Sequence, residues 1–327
     1  MPEAHDYKFS EVAAIADPVQ ARVNELSVQY GATPYTDYKE MLKSDEIDAV
    51  VVSGPNKLHA LMSIEALRAG KHVLCEKPMA TTKADAKKMM TTAKTAKKYL
   101  MIALNQRLMP PHVRAKEILD SGRLGKVLSF RTAFKHPGPE GWSVDGAKSW
   151  FFQKDAAFMG VTGDLGVHKA DLMRWLIGQE FTDVGGILAT LDKKMPNGKP
   201  IALDDNAYLT LKTDKGVVGS MMLSWTNYGA EENYTVLYCQ KGVLRLGDDP
   251  EYGVVVEYAN GDVEKHKVGE MGTNEKQVAS GIIDSFTDCI RKKKKPSIDG
   301  DEGFRCLNVI LAAIDAAKTG KTVKIKY

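Results

Sequence analysis

Three titratable side chains in this sequence have the types and the spacing that proton-transfer chemistry requires. Lys77 directly follows the apolar run 72–75, so it lies where a predicted parallel strand ends and its loop begins. Open α/β sheets bind their ligands at that edge. Asp164 and His168 lie four residues apart and therefore share one face of a predicted helix. We expect lysine, aspartate and histidine to converge on a cleft and to move protons there.

The composition restricts the class of protein that could carry this site. A chain of 327 residues, 43% hydrophobic and 27% charged, is typical of a soluble globular protein with two domains. The net charge of +3 argues against nucleic acid as a partner, and we interpret the basic run 291–295 as a solvated helix end. The four cysteines lack the CxxC spacing of a zinc site, and we predict reduced thiols and no metal. Without a membrane-length apolar run or a signal-peptide pattern, we expect a cytoplasmic protein.

The first third of the chain alternates short apolar runs with helical patterns. The predicted strands are 12–16, 47–52, 72–75 and 100–104, and the predicted helices are 18–30, 57–69 and 82–98. Continuous apolar strands that alternate with helices are typical of a Rossmann-type, doubly wound parallel sheet. We therefore predict an α/β domain over residues 1–106.

The pattern changes after Pro110 and Pro111, where one more predicted helix is followed by long strands of period two. The predicted strands are 127–134, 207–212, 217–225, 234–246 and 254–258, and the predicted helices are 164–177, 273–291 and 301–318. Period-two strands joined by short turns indicate an open, mainly antiparallel sheet. Residues 107–327 are therefore predicted to form an α+β domain.

Five stretches of the sequence, in order, resemble motifs of the Gfo/Idh/MocA family of NAD(P)-dependent oxidoreductases. They are Ala16-Asp17-Pro18, 55–59, 69–78, Asn105-Gln106-Arg107 and 163–171. The resemblance covers nearly the whole chain, and the Glu-Lys-Pro stretch is specific in combination with the Asp-x-x-x-His helix. It implies an enzyme that transfers a hydride between a hydroxyl of a sugar, inositol or related polyol and NAD. It also implies a homo-oligomer, dimer or tetramer, formed through the substrate-binding C-terminal sheet.

The chemistry of hydride transfer assigns a role to each of the three titratable residues. The hydroxyl proton must leave with the hydride, so a base must contact that oxygen. His168 is the candidate base, because a histidine has an ordinary pKa of about 6.5. Lys77 is expected to bind the substrate oxygen, and Asp164 to grip a neighbouring hydroxyl or to orient the imidazole. The resemblance implies the same three roles.

The resemblance also implies cofactor-binding residues, most of them beside predicted strand ends. They are Asp17, Ser53, Pro55, Asn56, Glu76, Lys77, Asn105 and Arg107. Asp17 could accept a hydrogen bond from a ribose hydroxyl, which would favour NAD over NADP, or could cap the next helix. Pro55 and Asn56 could contact the cofactor or only form a turn before a helix.

Several other residues allow both a structural and a functional interpretation. His59 lies inside a predicted helix and is expected to be structural. The aromatic run 150–152 could line a nicotinamide or substrate pocket, or it could belong to the core. Lys169 and Asp171 lie next to the predicted catalytic face and are weaker candidates.

One family feature does not occur in this sequence, which contains no G-x-G-x-x-G motif. We expect a strand and its glycine-rich turn to be missing before residue 1, which would leave a gap between the strands that end at Asp17 and Ser53. Two explanations stay open: a misassigned or trimmed start, or a remnant that no longer binds cofactor. Under either one, we expect a chain beginning at Met1 to bind NAD weakly.

Two alternative functions also remain open on sequence grounds. Some relatives are glycosidases that use NAD transiently, by oxidation and elimination. A non-catalytic sensor of sugars or nucleotides is the other alternative. The sequence does not identify the sugar or the carbon that is oxidised.

Overall fold

The computed structural model describes residues 2–269 and 279–327. In chain order the helices are α1 (Pro2–Asp6), α2 (Gln20–Tyr30), α3 (Tyr38–Met41), α4 (Asn56–Arg68), α5 (Lys83–Ala96), α6 (Pro110–Asp120), α7 (Lys154–Ala157), α8 (Val167–Ile177), α9 (Ile282–Arg291) and α10 (Gly300–Thr319). The strands are β1 (Ala14–Ala16), β2 (Thr33–Tyr35), β3 (Ala49–Val52), β4 (His72–Cys75), β5 (Leu100–Ile102), β6 (Val127–Lys135), β7 (Phe181–Ala189), β8 (Asn206–Thr213), β9 (Val218–Ser224), β10 (Glu232–Cys239), β11 (Gly242–Leu246), β12 (Val254–Tyr258), β13 (Val263–His266) and β14 (Val323–Lys324).

The chain divides into two compact units. The first unit comprises Met1–Gly54, Leu58–Ala103 and Ala279–Gly303, and the second comprises Pro55–Lys57, Leu104–Val278 and Phe304–Tyr327. The sequence predicts a single boundary between residues 106 and 107. The main division falls nearby, but the chain also returns to the first unit near its C-terminus. A change of strand period cannot reveal such a return, or the short segment Pro55–Lys57, because it marks only where one type of sheet gives way to the other.

The first unit has the four short strands that the sequence predicts and one that it does not, β2. β1 pairs with β2, and β3, β4 and β5 form a separate three-stranded parallel sheet with β4 in the middle. The two sheets are separate between β1 and β3, which is where the sequence predicts a gap. β4 is buried, because helices cover parallel strands joined by crossovers.

The second unit is built on one continuous sheet of nine strands in the order β13-β12-β11-β10-β6-β9-β8-β7-β14. Every neighbouring pair is antiparallel except β6 and β9. The prediction of an open, mainly antiparallel sheet is confirmed. In β8 buried and exposed residues alternate, because only one face of the strand is covered by the core. On the other face of the sheet, Tyr208 of β8 is 52% exposed, and its partner on β7, Ile187, is 68% exposed.

Three predicted elements differ from the structure. The strand predicted over 234–246 is wrong, because a turn at Gln240 and Lys241 divides it into β10 and β11. The helix predicted over 273–291 begins at Ile282 in the described part of the chain, and 273–278 lies outside the described residues. The helix predicted over 164–177 begins with a π-helical turn, Thr162–Gly166, before α8. Among the described residues, no helix has both the length and the apolar content that crossing a bilayer requires.

Candidate active site

Lys77 lies at the carboxyl end of β4, the central strand of the three-stranded sheet. The strand hydrogen bonding continues one residue past β4, because the Glu76 backbone N–H donates to the Val52 carbonyl at 2.9 Å. The Lys77 N–H then donates to the Glu76 carboxylate at 3.2 Å, and the peptide bond to Pro78 is cis. Both Glu76 and Lys77 are partly exposed. The structure therefore places this lysine where the sequence predicts it.

His59 connects two loops at this end of the first unit. Its Nδ1 lies 2.8 Å from the Pro78 carbonyl oxygen, and its Nε2 lies 2.7 Å from the Gly54 carbonyl oxygen. Gly54 follows β3 and Pro78 follows β4, so one buried imidazole joins the loops after two neighbouring strands. Burial lowers the pKa of His59. This environment agrees with the expectation that His59 is structural.

Asp17 follows β1 and makes contacts that are local in the sequence. Its Oδ1 accepts a hydrogen bond from the Val19 N–H at 2.8 Å, and its Oδ2 lies 3.2 Å from Nη1 of Arg22. Ser53, which follows β3, is exposed. The interpretation of Asp17 as the helix cap is wrong, because Val19 is the N-cap of α2 and the Asp17 carboxylate only closes the turn before it. A carboxylate in such a turn can also accept from a ribose hydroxyl, so the cofactor role of Asp17 stays a prediction.

The remaining predicted cofactor residues lie in the second unit. Asn56 is 4% exposed and donates from Nδ2 to the Ala157 carbonyl at 2.9 Å. Pro55 is partly buried. Asn105, at the start of a 3₁₀ turn, is also partly buried. Arg107 forms a buried two-point ion pair with Asp171, with Nε 2.7 Å from Oδ2. The pair ties the 3₁₀ turn to α8, which sequence spacing did not indicate.

Asp164 lies in the π-helical turn that leads into α8. A π turn is rare and frequently occurs at functional sites. Asp204 holds the start of this turn, because its carboxylate accepts from the Gly160 N–H at 3.1 Å and from the N–H and hydroxyl of Thr162, both at 2.9 Å. A Cβ atom on Gly160 would lie 1.9 Å from the Asp204 carbonyl oxygen, so this close approach requires glycine.

His168 lies one turn further along, near the start of α8. It is 8% exposed, and its ring lies 6.4 Å from that of Phe134 on β6. The helix lies close to the sheet, since a Cβ atom on Gly166 would come within 2.9 Å of Leu223 on β9. The structure therefore fixes the backbone that carries both Asp164 and His168 against the continuous sheet of the second unit.

Trp225, directly after β9, contacts Asp164. Its indole Nε1 donates to Asp164 Oδ2 at 3.0 Å, and the ring is fully buried. Phe152 is 3% exposed and meets the indole edge-on at 6.0 Å, whereas Trp150 and Phe151 are half-buried and stack on each other at 4.0 Å. Phe152 therefore belongs to the core.

Two weaker candidates on α8 are buried and have partners. Lys169 is fully buried, with Nζ 3.4 Å from the Tyr234 carbonyl oxygen and 5.8 Å from the centre of the Phe134 ring. Burial lowers the pKa of Lys169 to about 7. Asp171 is occupied by Arg107, as described above.

Sequence patterns did not indicate Trp225, Asp204 or Phe134 as residues of the site. The only signals for them were a tryptophan at the end of a predicted strand, an aspartate pair at 204–205 before a strand, and a strand aromatic. Their partners are distant in sequence, so no local pattern indicates them. Among the described residues there is no cluster of histidine, cysteine and carboxylate groups that could hold a metal ion.

The comparisons with known proteins agree with this architecture. Residues 2–104 match the model of the oxidoreductase family with an NAD-binding Rossmann fold, and residues 112–245 match the GFO/IDH/MocA C-terminal domain. The chain is 32% identical over 244 residues to levoglucosan dehydrogenase from Pseudarthrobacter phenanthrenivorans, an alignment that covers 68% of this chain and 60% of that protein.

Two solved structures are similar over almost the entire chain. The aldose-aldose oxidoreductase from Caulobacter crescentus complexed with glycerol has a TM-score of 0.83 and 26% identity, over 99% of this chain and 94% of that one. A levoglucosan dehydrogenase in complex with NADH has a TM-score of 0.86 and 25% identity, over 97% and 90% respectively.

The fold and the comparisons define the class of protein, an oxidoreductase with an NAD-binding Rossmann domain. The chain belongs to the Gfo/Idh/MocA family. Its relatives include sugar and inositol dehydrogenases, which is the class that the sequence predicts.

Proposed function

We propose that the protein transfers a hydride between a hydroxyl group of a cyclic sugar or polyol and NAD, with His168 as the general base. The observation that carries this proposal is the π turn and first turn of α8, which hold Asp164 and His168 buried against one sheet. Carboxylate and imidazole groups fixed in this way can bind a hydroxyl and remove its proton. The substrate class also has support from the relatives, which act on sugars and inositols.

The residues at the strand ends of the first unit fit a dinucleotide. Asp17 offers a carboxylate for a ribose hydroxyl, and Ser53 and Glu76 follow parallel strands at the edge where such ligands bind. In addition, α4 begins at Asn56, and the N–H groups at a helix N-terminus suit a phosphate. When bound, NAD supplies the hydride acceptor.

The chain's own residues then manage the proton and the substrate oxygen. His168 takes the hydroxyl proton on its ring nitrogen as the carbinol carbon is oxidised and returns it in the reverse direction. Lys77 is proposed to donate a hydrogen bond to a substrate oxygen and to stabilise alkoxide character. Asp164 accepts a hydrogen bond from a neighbouring hydroxyl, which fixes the orientation of the sugar ring.

Assembly and location belong to the same proposal. One face of the nine-stranded sheet exposes Ile187 and Tyr208, which pair across β7 and β8, together with Val218 on β9. Apolar side chains on an open sheet face favour a homo-oligomer, and we propose a dimer or tetramer through this face.

We also propose a cytoplasmic location, since the four cysteines are free.

A substrate panel tests the proposal. The chain is incubated with each of levoglucosan, myo-inositol, scyllo-inositol and simple glucosides, at an NAD concentration high enough to offset weak binding. NADH absorbance is followed with time. We expect steady NADH formation with at least one cyclic polyol. Release of an aglycone without net NADH would instead support the oxidation and elimination mechanism, which no observation favours here. Tight sugar binding without turnover would support a sensor.

A further inference from the structure

Trp225 hydrogen-bonds to the side chain of Asp164, which lies 61 residues earlier in the chain. Its indole N–H donates to Oδ2 at 3.0 Å, with Trp225 fully buried and Asp164 6% exposed. A hydrogen bond to a carboxylate is stronger than one between neutral groups, particularly where water is excluded. The bond therefore restrains the carboxylate more than an exposed contact would.

The indole is itself held rigidly. The Trp225 backbone N–H donates to the Asp205 carbonyl at 2.8 Å, which extends the pairing of β8 with β9. The ring meets Phe152 at 6.0 Å and 70°, and Phe151 at 6.4 Å and 82°, both edge-on. With backbone and ring both fixed, the indole N–H points from the sheet at a fixed position.

The carboxylate, in contrast, is carried by an irregular element. Asp164 lies in the middle of the π turn Thr162–Gly166, where the regular α-helical hydrogen-bond ladder is interrupted. Asp204 holds the beginning of that turn through Gly160 and Thr162. The backbone is thus fixed at one end of the turn, and the Asp164 side chain is fixed by the indole of Trp225, which directly follows β9.

We propose that Trp225 is a positioning residue for the reaction and acts through Asp164, by holding its carboxylate in the orientation that grips the substrate hydroxyl. The inference rests on the proposed function of Asp164. Trp225 itself need not touch the substrate. A misplaced carboxylate would weaken the grip on the sugar and also misalign the carbon that is oxidised.

A double-mutant cycle tests this proposal. Trp225→Phe keeps an aromatic ring and removes the N–H, and Asp164→Ala removes the acceptor. We expect Trp225→Phe to lower kcat/KM about ten- to a hundredfold in the native background, with a raised KM for the sugar and an unchanged Kd for NADH. In the Asp164→Ala background the same change should alter kcat/KM by about twofold or less. Trp142→Phe, a 40% exposed indole, is the matched control and should retain native kinetics.

Equal losses from Trp225→Phe in both backgrounds would overturn the proposal, because they would indicate a structural effect independent of Asp164. Native kcat/KM in Trp225→Phe would overturn it as well. Thermal melts of all variants show whether loss of folded protein accounts for any decrease. Such a loss would lower the apparent kcat but leave the KM values for the sugar and for NAD unchanged.

A second measurement does not depend on turnover and separates this inference from the proposed function. In a ¹H–¹⁵N spectrum, the Trp225 indole signal is identified by its disappearance in Trp225→Phe. We expect Asp164→Ala to shift that signal and to speed its exchange with solvent deuterium. An unchanged signal would overturn the inference even in an active enzyme. If no sugar is oxidised, the proposed function fails while the indole signal still decides the contact.

Discussion

The two units hold their candidate functional residues in opposite ways. In the first unit, Asp17, Ser53 and Lys77 follow strands of three or four residues, in two separate sheets, and are exposed or partly exposed. In the second unit, Asp164 and His168 are 6% and 8% exposed, on a π turn and helix that pack against β6 and β9 of the nine-stranded sheet. Loop ends form contacts with a large ligand easily, whereas a packed helix fixes a few atoms accurately.

This difference indicates how substitutions should act in each unit. A change at a strand end of the first unit should alter ligand binding or catalysis with little effect on stability, because the side chain has few packed neighbours. A change at a buried residue that holds the π turn of the second unit should alter catalysis and stability together. The following predictions test that distinction.

The largest effect is expected at the general base. His168→Ala should lower kcat about a hundredfold or more, because an alanine side chain cannot take the hydroxyl proton. Lys77→Ala should also abolish most turnover, but with an unchanged melting temperature. Steady-state kinetics and thermal melts of both variants are the measurements. His5→Ala, an exposed histidine on α1, is the control. Native kcat in His168→Ala with saturating substrate would remove this residue from the mechanism.

The next effect is expected at the start of the π turn. Asp204→Asn would place an amide NH₂ against the N–H groups of Gly160 or Thr162, and should lower the free energy of unfolding by about 1–3 kcal/mol. Because that turn carries Asp164, kcat/KM should fall about tenfold. Asp249→Asn is the matched control, since its carboxylate also accepts from two backbone N–H groups, in the loop after β11 rather than at the π turn. Equal effects of the two substitutions would show that Asp204 has no special role.

A smaller effect is expected on cofactor choice. The enzyme should prefer NAD to NADP, and Asp17→Ala should reduce that preference about tenfold, because the carboxylate repels a ribose 2′-phosphate. Asp37→Ala is a close control, since Asp37 accepts from the Lys39 N–H at 2.8 Å, as Asp17 does from that of Val19. The ratio of kcat/KM for the two cofactors is the measurement. A native preference for NADP would show that Asp17 only caps a turn.

The smallest effect concerns stability alone. Burial lowers the pKa of Lys169 to about 7, below the value of about 10.4 for an unfolded chain. As pH falls between these values, the unfolded chain binds a proton that the native protein does not, so native stability decreases. Lys169→Met should therefore raise the melting temperature by about 3 °C or more near pH 7 and by less near pH 10. Lys241→Met, at an exposed turn, should show no such dependence. A gain that is equal at both pH values would contradict the prediction.

Sequence patterns predicted the parts of this structure that have local signals. β4 and β12 have the predicted bounds, and α5 begins after Thr82, whose side chain accepts from the Asp85 N–H. The division of 234–246 into two strands was missed, because Gln240 and Lys241 are not the residue types that usually form the centre of a two-residue hairpin turn, although Gly242 directly follows them. The N-terminal gap between sheets was predicted, since it follows from motif order.

The site was predicted only in part, for a related physical reason. Lys77, Asp164 and His168 lie on the predicted elements because strand ends and helix spacing are local properties. Trp225, Asp204 and the ion pair of Arg107 with Asp171 depend on contacts between residues far apart in sequence. The π turn was also missed, because its hydrogen-bond register is set by packing against the sheet and by Asp204.

Hydride transfer from the carbinol carbon to NAD, with His168 as the base, is tested most directly by an experiment with labelled substrate. A cyclic polyol that supports turnover in the panel is prepared with deuterium at the carbinol carbon and incubated with NAD and the enzyme. We predict one deuterium in each NADH formed, one ketone group formed for each polyol consumed, and loss of both products in His168→Ala. Polyol-dependent NADH without deuterium, or products of elimination without net NADH, would contradict it.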